Sequence, residues 1–286
     1  MSGCSVPTPD PAKVLTKTTF SLANLSGFNY HLDLDLVGSL GNSLATPIKH
    51  AHFQLAGTSE DKPQAVPQFT LDANITADSA TGPIQLAGNV IGLADYTYFR
   101  LTNLKFPTLS PIAVSANSHW YKIQSTPDTL VDPGKRLGAS TSPPLVTAQQ
   151  IVDIRKAVAD ESLFQVTQTF PDTTLAGHRN YHYQVALNPE DLPRMAAVIA
   201  KDLNLSAPTA AQISAWEKYS AEIWIDKSTY NLTQLKISGT SPGKAGNIVF
   251  AALLNLDHPN QPAKISAPTN TEELSPASLR SLLPTF

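Results

Sequence analysis

Chemistry in this chain, if it has any, must come from a short set of side chains. His50 and His52 flank one alanine, and on an extended strand residues two apart share a face. His178 and His182 have even spacing and would do the same on another strand. Two such pairs meeting across a sheet could hold a zinc ion. Asp33 and Asp35 are likewise two apart, a spacing that could pair a general acid with a general base. In each case the surrounding sequence favours a plainer reading. These residues sit among Asn, Thr and Gln in alternation with apolar side chains, as on the solvated face of a strand. No Gly-x-Ser-x-Gly elbow is present, and "GTSPGKAG" (239–246) lacks the spacing of a phosphate loop. The expectation is a protein that is not an enzyme, with no catalytic residue, no metal and no cofactor.

The sulfur inventory is a single residue. Cys4 is the one cysteine in 286 residues, so it forms no internal disulfide and no multi-cysteine metal site. Ser2-Gly3-Cys4 resembles the end of a bacterial lipobox, in which small residues precede a cysteine that is alkylated with diacylglycerol. The following "SVPTPDPAK", with prolines at 7, 9 and 11, reads as an extended polar tether. No charged or apolar signal region precedes Ser2, a departure from the full signal; Met1 would then stand where a leader has been removed. The expectation is an exported protein, held to the outer face of a bacterial membrane through a lipid on Cys4.

Bulk properties narrow the classes further. Charged residues make up 15% of the chain and the net charge is −3, which builds no positive field for nucleic acid. No apolar run approaches the ~18 residues of a membrane span, so the chain by itself is expected to be soluble. The length is ample for a large β-rich core.

The elements follow from periodicity. "AKVLTKTTFSLANL" (12–25) reads as an amphipathic helix weakened by threonines. "FNYHLDLDLVG" alternates apolar and polar residues without a break. Segments 50–59, 67–78, 82–92, 95–104 and 119–124 repeat that pattern between turn-formers, which predicts an antiparallel meander. A loop over 125–145 and a helix over 147–161 follow. Next come strands over 163–170 and 178–188, then helices over "NPEDLPRMAAVIAKDLNL" and 209–219. "AEIWIDKSTYNLTQLKISGTS" is the clearest hairpin, turning at Asp-Lys-Ser-Thr. "GNIVFAALLNLDH" (246–258) is apolar on both faces, so each side of the sheet should be covered there. The tail carries one more short helical stretch.

This order of elements, with "YFRLTNL" then "HWYKI", "FPDTTLAGHRNYHYQVALN" and above all "AEIWIDKSTYNLTQLKISG", resembles the LolA/LppX/LprG group of bacterial lipid and lipoprotein carriers. The resemblance spans most of residues 12–258. It implies an α+β fold in which a strongly curved antiparallel β-sheet, a half-open barrel, has helices covering its concave face. It also implies an apolar cavity between sheet and helices that takes a lipid or acyl chain. The chain then divides into a tether (1–11), a lipid-binding domain (12–258) and a C-terminal extension (259–286). The inward sets on the strongest strands would line the cavity: Tyr30, Leu32, Leu34, Phe53, Leu55, Phe69, Leu71, Ile84 and Leu86. Trp216 and Trp224 are expected to anchor packing instead. Partners would be a lipid, the membrane through Cys4, and an envelope transporter or lipoprotein. The rival readings are a surface lipoprotein with a solid core that works by protein–protein contact, and a periplasmic sensor or inhibitor domain.

Overall fold

The computed structural model describes residues 9–40, 48–61, 67–79, 81–105, 119–124, 164–202, 207–216, 219–243 and 246–274. The expected loop over 125–145, the helix over 147–161, Cys4, and the tail beyond Leu274 lie outside the described residues.

Helix α1 (Pro11–Ala23) starts where the sequence permits it. The Asp10 side chain accepts a hydrogen bond from the Ala12 N–H, and Pro11 occupies the first turn, where its missing N–H costs nothing. The threonines that weaken α1 on propensity are accommodated by back-bonding: Thr16, Thr18 and Thr19 each donate to the carbonyl four residues earlier at 3.0 Å. Val14, Leu15 and Thr18 form its buried side.

Six strands then run as a meander: β1 (Gly27–Leu40), β2 (Ile48–Glu60), β3 (Gln68–Ser79), β4 (Gly82–Gly92), β5 (Tyr96–Lys105) and β6 (Trp120–Gln124). Strands β7 (Phe164–Leu175) and β8 (His178–Leu187) precede helices α2 (Leu192–Asp202) and α3 (Ala210–Trp216), with Pro193 in the first turn of α2. The described residues finish with β9 (Ser220–Asp226), β10 (Leu232–Gly243), β11 (Gly246–Asp257) and the short β12 (Thr271–Glu273).

All twelve strands join one sheet in the order β12-β6-β5-β4-β3-β2-β1-β11-β10-β9-β8-β7. Every pairing is antiparallel except β12 on β6. The sheet is curved and does not close, so it is a half-open barrel with free edges at β7 and β12. The β9–β10 turn is built by Asp226, only 5% exposed, whose carboxylate accepts from the N–H groups of Ser228 (2.8 Å) and Thr229 (2.9 Å). Those bonds let Tyr230 take φ +60° as the chain reverses.

The dry core lies at the β7 end. Val14 and Leu15 of α1 pack on Tyr181, Tyr183 and Val185 of β8 and on Ala221, Ile223 and Ile225 of β9. These belong to one face, because Tyr181 pairs with Ile225, Tyr183 with Ile223 and Val185 with Ala221. Helix α1 thus covers this face at the β8–β9 end. Burial pushes the Tyr183 phenol up to about 12, with Tyr181 and Asp172 adding to the shift, and its hydroxyl finds no partner among the described residues.

One expectation fails. Strand β11 is apolar on both sides, yet none of its residues with described burial is buried, and Val249 is 51% exposed. Its outward residues Ala251 and Leu253 stand between polar neighbours, Ser238 and Lys236 on β10 and Asp35 and Asp33 on β1, while Val249 lies between Thr240 and the equally exposed Val37. Small apolar groups within a polar face need no cover of their own.

Ile225→Ala should lower stability by about 2–5 kcal/mol, read from urea unfolding, because a fully buried branched side chain leaves a cavity beneath α1. Tyr183→Phe should leave stability unchanged or raise it, since it removes an unpaired buried hydroxyl and keeps the ring.

Candidate functional site

The nine residues singled out for a lining come from four strands, and the pairing register fixes where they stand. Tyr30, Leu32 and Leu34 lie opposite Gly57, Leu55 and Phe53. On β2 and β3, Phe53 faces Ile75, Leu55 faces Ala73, Gly57 faces Leu71 and Ser59 faces Phe69. On β4, Leu86 faces Ile75 and Ile84 faces Ala77. Directly paired residues share a face, as do alternate residues along a strand. Tyr30, Leu32, Leu34, Phe53, Leu55, Phe69, Leu71, Ile84 and Leu86 therefore stand together on one face. It is the face that α1 covers at the far end, since Leu32 pairs with Leu254, Leu254 with Leu235, and Leu235 with Ile223.

The difference between the two ends is burial. Under α1 the face is dry, with Tyr183 and Val185 each 1% exposed. Across β1–β4 all nine lining residues are only half-buried, although they sit mid-sheet with strands on both sides. Leu36, Ile75, Val90, Phe99, Leu254 and Leu256 extend the same half-buried surface. The alternation that singles out the first nine reaches these as well, on strands where it is less regular.

Large and small residues are mixed on this face, and the small ones are held small by close approaches. A Cβ on Gly57 would come within 1.9 Å of the Thr70 carbonyl oxygen and 2.7 Å of the Tyr30 hydroxyl. That hydroxyl leans across the glycine and donates to the Thr70 carbonyl at 3.0 Å, so the one polar tip in the row is satisfied. Phe69 lies over Gly92, where a Cβ would meet its ring at 2.2 Å. Between them, the row Leu32, Leu55, Ala73, Gly88, Leu101 dips at Ala73 and Gly88, and Leu101 is left 38% exposed. The result is an apolar trough in a curved sheet.

The histidine–carboxylate pairs of β1 and β2 fall on the opposite face. His52 Nδ1 bonds the Asp35 carboxylate at 2.8 Å, His50 Nε2 approaches the same oxygen at 3.4 Å, and His31 bonds Asp33 at 2.8 Å. Gln54 donates to Asp33 at 3.2 Å. The hydrogen bond from His52, reinforced by His50, holds the Asp35 carboxyl below its usual range. The two histidine pairs do not meet. Strand β2 is separated from β8 by β1, β11, β10 and β9, about 24 Å of sheet. His182 instead stacks between Phe170 (4.4 Å) and Trp224 (4.3 Å) and bonds Glu222 at 3.0 Å. Among the described residues, no group of three or more His, Cys, Asp or Glu is arranged to hold a metal ion. Trp224 belongs to this stack and is turned away from the trough.

Two cavities open on the polar side. One of about 250 Å³ lies between Asn29, Thr58 and Thr70 and the segment His258–Ile265, which crosses the sheet before β12. The other, about 220 Å³, is lined by His31, Gln54, Asp72, Asn74 and Asn89 among others. The first is mainly polar; the second mixes those polar side chains with Ala56, Ala73 and Gly88. No helix among the described residues is long and apolar enough to cross a membrane.

No protein-family model matches the chain, and no curated relative does. Solved structures do match its course. LprF from Mycobacterium bovis aligns over 92% of this chain and 99% of its own, at 13% identity and a TM-score of 0.47. The Mycobacterium tuberculosis lipoprotein LppX aligns over 90% of this chain and 100% of its own, at 12% identity and a TM-score of 0.34. A LolA-superfamily protein from Nitrosomonas europaea follows at 6% identity and a TM-score of 0.21.

The carboxylates give a pH dependence. Burial would raise Glu222 and Asp226. The bonds from His182 and Lys236 to Glu222, and from Ser228 and Thr229 to Asp226, outweigh it, and both are lowered, as is Asp35. A carboxyl depressed in the folded state is protonated first in the unfolded chain. Its contribution is therefore present above pH ~4 and is lost as pH falls through the folded value. Urea midpoints should fall steeply below pH 4. Asp226→Asn should flatten that fall more than Asp35→Asn, because Asp35 is half-exposed and screened.

Proposed function

We propose that the half-buried concave face over β1–β5 binds the acyl chains of a lipid or acylated ligand, with α1 sealing one end of the sheet. One observation supports this above the others: a single apolar face is dry beneath α1 and half-open across nine aligned Leu, Phe, Ile and Tyr side chains farther along. Aliphatic chains fit such a surface because they need no polar partner and adapt to an uneven floor. Each methylene taken from water contributes about 0.8 kcal/mol, so a segment of about ten supplies micromolar-range stabilisation before ordering costs. The hydroxyl of Tyr30 is already bonded, and the ionisable side chains of β1–β3 fall on the other face, so the trough makes no demand for charge on the ligand.

A carrier of this kind works by exchange of one apolar surface for another, with no bond made or broken, so the reading is of a binding protein. Cys4 would carry the lipid that holds it to the outer face of a bacterial membrane, with residues 12–258 as the binding domain. Transfer of the ligand onward in the envelope would bring the open face to a partner transporter or lipoprotein.

Protein purified from its native membranes, extracted with organic solvent and analysed by mass spectrometry, should yield a stoichiometric acyl lipid. Ala73→Trp, which fills the dip between Leu55 and Gly88, should cut that yield severalfold while leaving the melting temperature within a few degrees. Stoichiometric protein with no lipid from either chain would turn the reading toward an interaction module with the same sheet.

A further inference from the structure

Helix α1 has a second side. Lys13, Lys17, Phe20 and Asn24 follow one another at i, i+4, i+7 and i+11, a single stripe opposite Val14, Leu15 and Thr18, and all four are exposed. Phe20 is 66% exposed, the highest value among the exposed large hydrophobics of the described residues. A lone exposed phenylalanine means little. Here it lies in line with two lysines on a helix that contains no Asp or Glu from Pro11 to Ala23, in a chain with 23 acidic and 20 basic residues. Lys17 is exposed while its ammonium rests over the Tyr230 ring, 4.3 Å from the centroid. The apolar side of α1 is taken up by the core, so its outer stripe offers two cations to anionic headgroups with one aromatic ring beside them.

Chain length places this stripe near a bilayer. Cys4 stands seven residues before Pro11, so a lipid on Cys4 would keep the start of α1 within about 25 Å of the headgroups. That placement rests on the proposed lipidation; the stripe itself does not. We infer that the outer side of α1, through Lys13, Lys17 and Phe20, docks flat on an anionic lipid surface with the Phe20 ring among the headgroups. The occupant is lipid because the stripe pairs positive charge with a single apolar side chain. Docking there would hold the β7–β9 end of the sheet toward the membrane and leave the open β1–β5 face beside it.

The test uses the full chain with Cys4→Ser, which removes the native thiol and any anchor, and Phe20→Cys carrying an environment-sensitive fluorophore. On vesicles of phosphatidylcholine with about one-third phosphatidylglycerol, the label should shift to the blue and be quenched by brominated acyl chains. The same label on Asn103→Cys, on the polar face, should do neither. Lys13→Glu with Lys17→Glu should weaken partitioning by more than tenfold, as each lysine near an anionic surface is worth about fivefold. Circular dichroism and urea midpoints establish that the variants fold. A Phe20 label that stays solvent-like on anionic vesicles, or that binds pure phosphatidylcholine as well, overturns the inference. Intact mass of native protein separately reports an acyl group on Cys4, so the anchor and the docking stripe fail or stand independently.

Discussion

The structure depends on one constraint. A strand turns alternate side chains to opposite faces, and in this sheet hydrogen-bond register carries that alternation from β4 through β1, β11 and β10 to β9, with irregularities only near the strand ends at Val37–Leu40, Ile48–His50 and Leu232–Gln234. A slip of one residue at any pairing would send Leu32, Leu55 and Leu71 to the side of His31, Gln54 and Asp72. The sheet therefore has one continuous apolar surface. Being curved and unclosed, it cannot bury that surface against itself, as a closed barrel of small diameter would.

Helix α1 resolves the problem at one end and leaves it at the other. Thirteen residues span about 20 Å, enough to cover β8 and β9 but not a sheet of twelve strands. Where the helix lies, Ile225 and Tyr183 are dry and the core is of ordinary kind. Beyond it, residues of the same chemistry are half-open. One apolar surface is thus present in two conditions, dry under α1 and half-buried beyond it.

The opposite face answers a different requirement, which is to carry charge in the open without unpaired groups. Carboxylates there are paired with imidazoles or turn N–H groups: Asp33 and Asp35 with His31, His50 and His52, Glu222 with His182 and Lys236, Asp226 with Ser228 and Thr229. The segment after Asp257 crosses this face near Asn29, Thr58 and Thr70 and ends as a parallel strand on β6, with the Leu274 N–H bonded to the Lys122 carbonyl. That strand protects an edge which would otherwise expose the short β6.

By itself the sequence determined the local structure and the faces. Strict alternation in "FNYHLDLDLVG" is a property of neighbours a few residues apart, so it fixes which side chains share a side before any partner strand is known. The same locality set α1 from Asp10 and Pro11 and the β9–β10 turn from Asp226. What only the tertiary structure decided depends on residues far apart in the chain. That β11 lies beside β1, that β2 and β8 are too distant for their histidines to meet, and that both sides of β11 stay open follow from strand order, which periodicity does not encode. A dry core and a half-open trough have identical alternation. Only the placement of α1 over β8 and β9, set by packing between residues 14–15 and 181–225, makes that end of the face a core, while the β1–β4 lining stays half-buried.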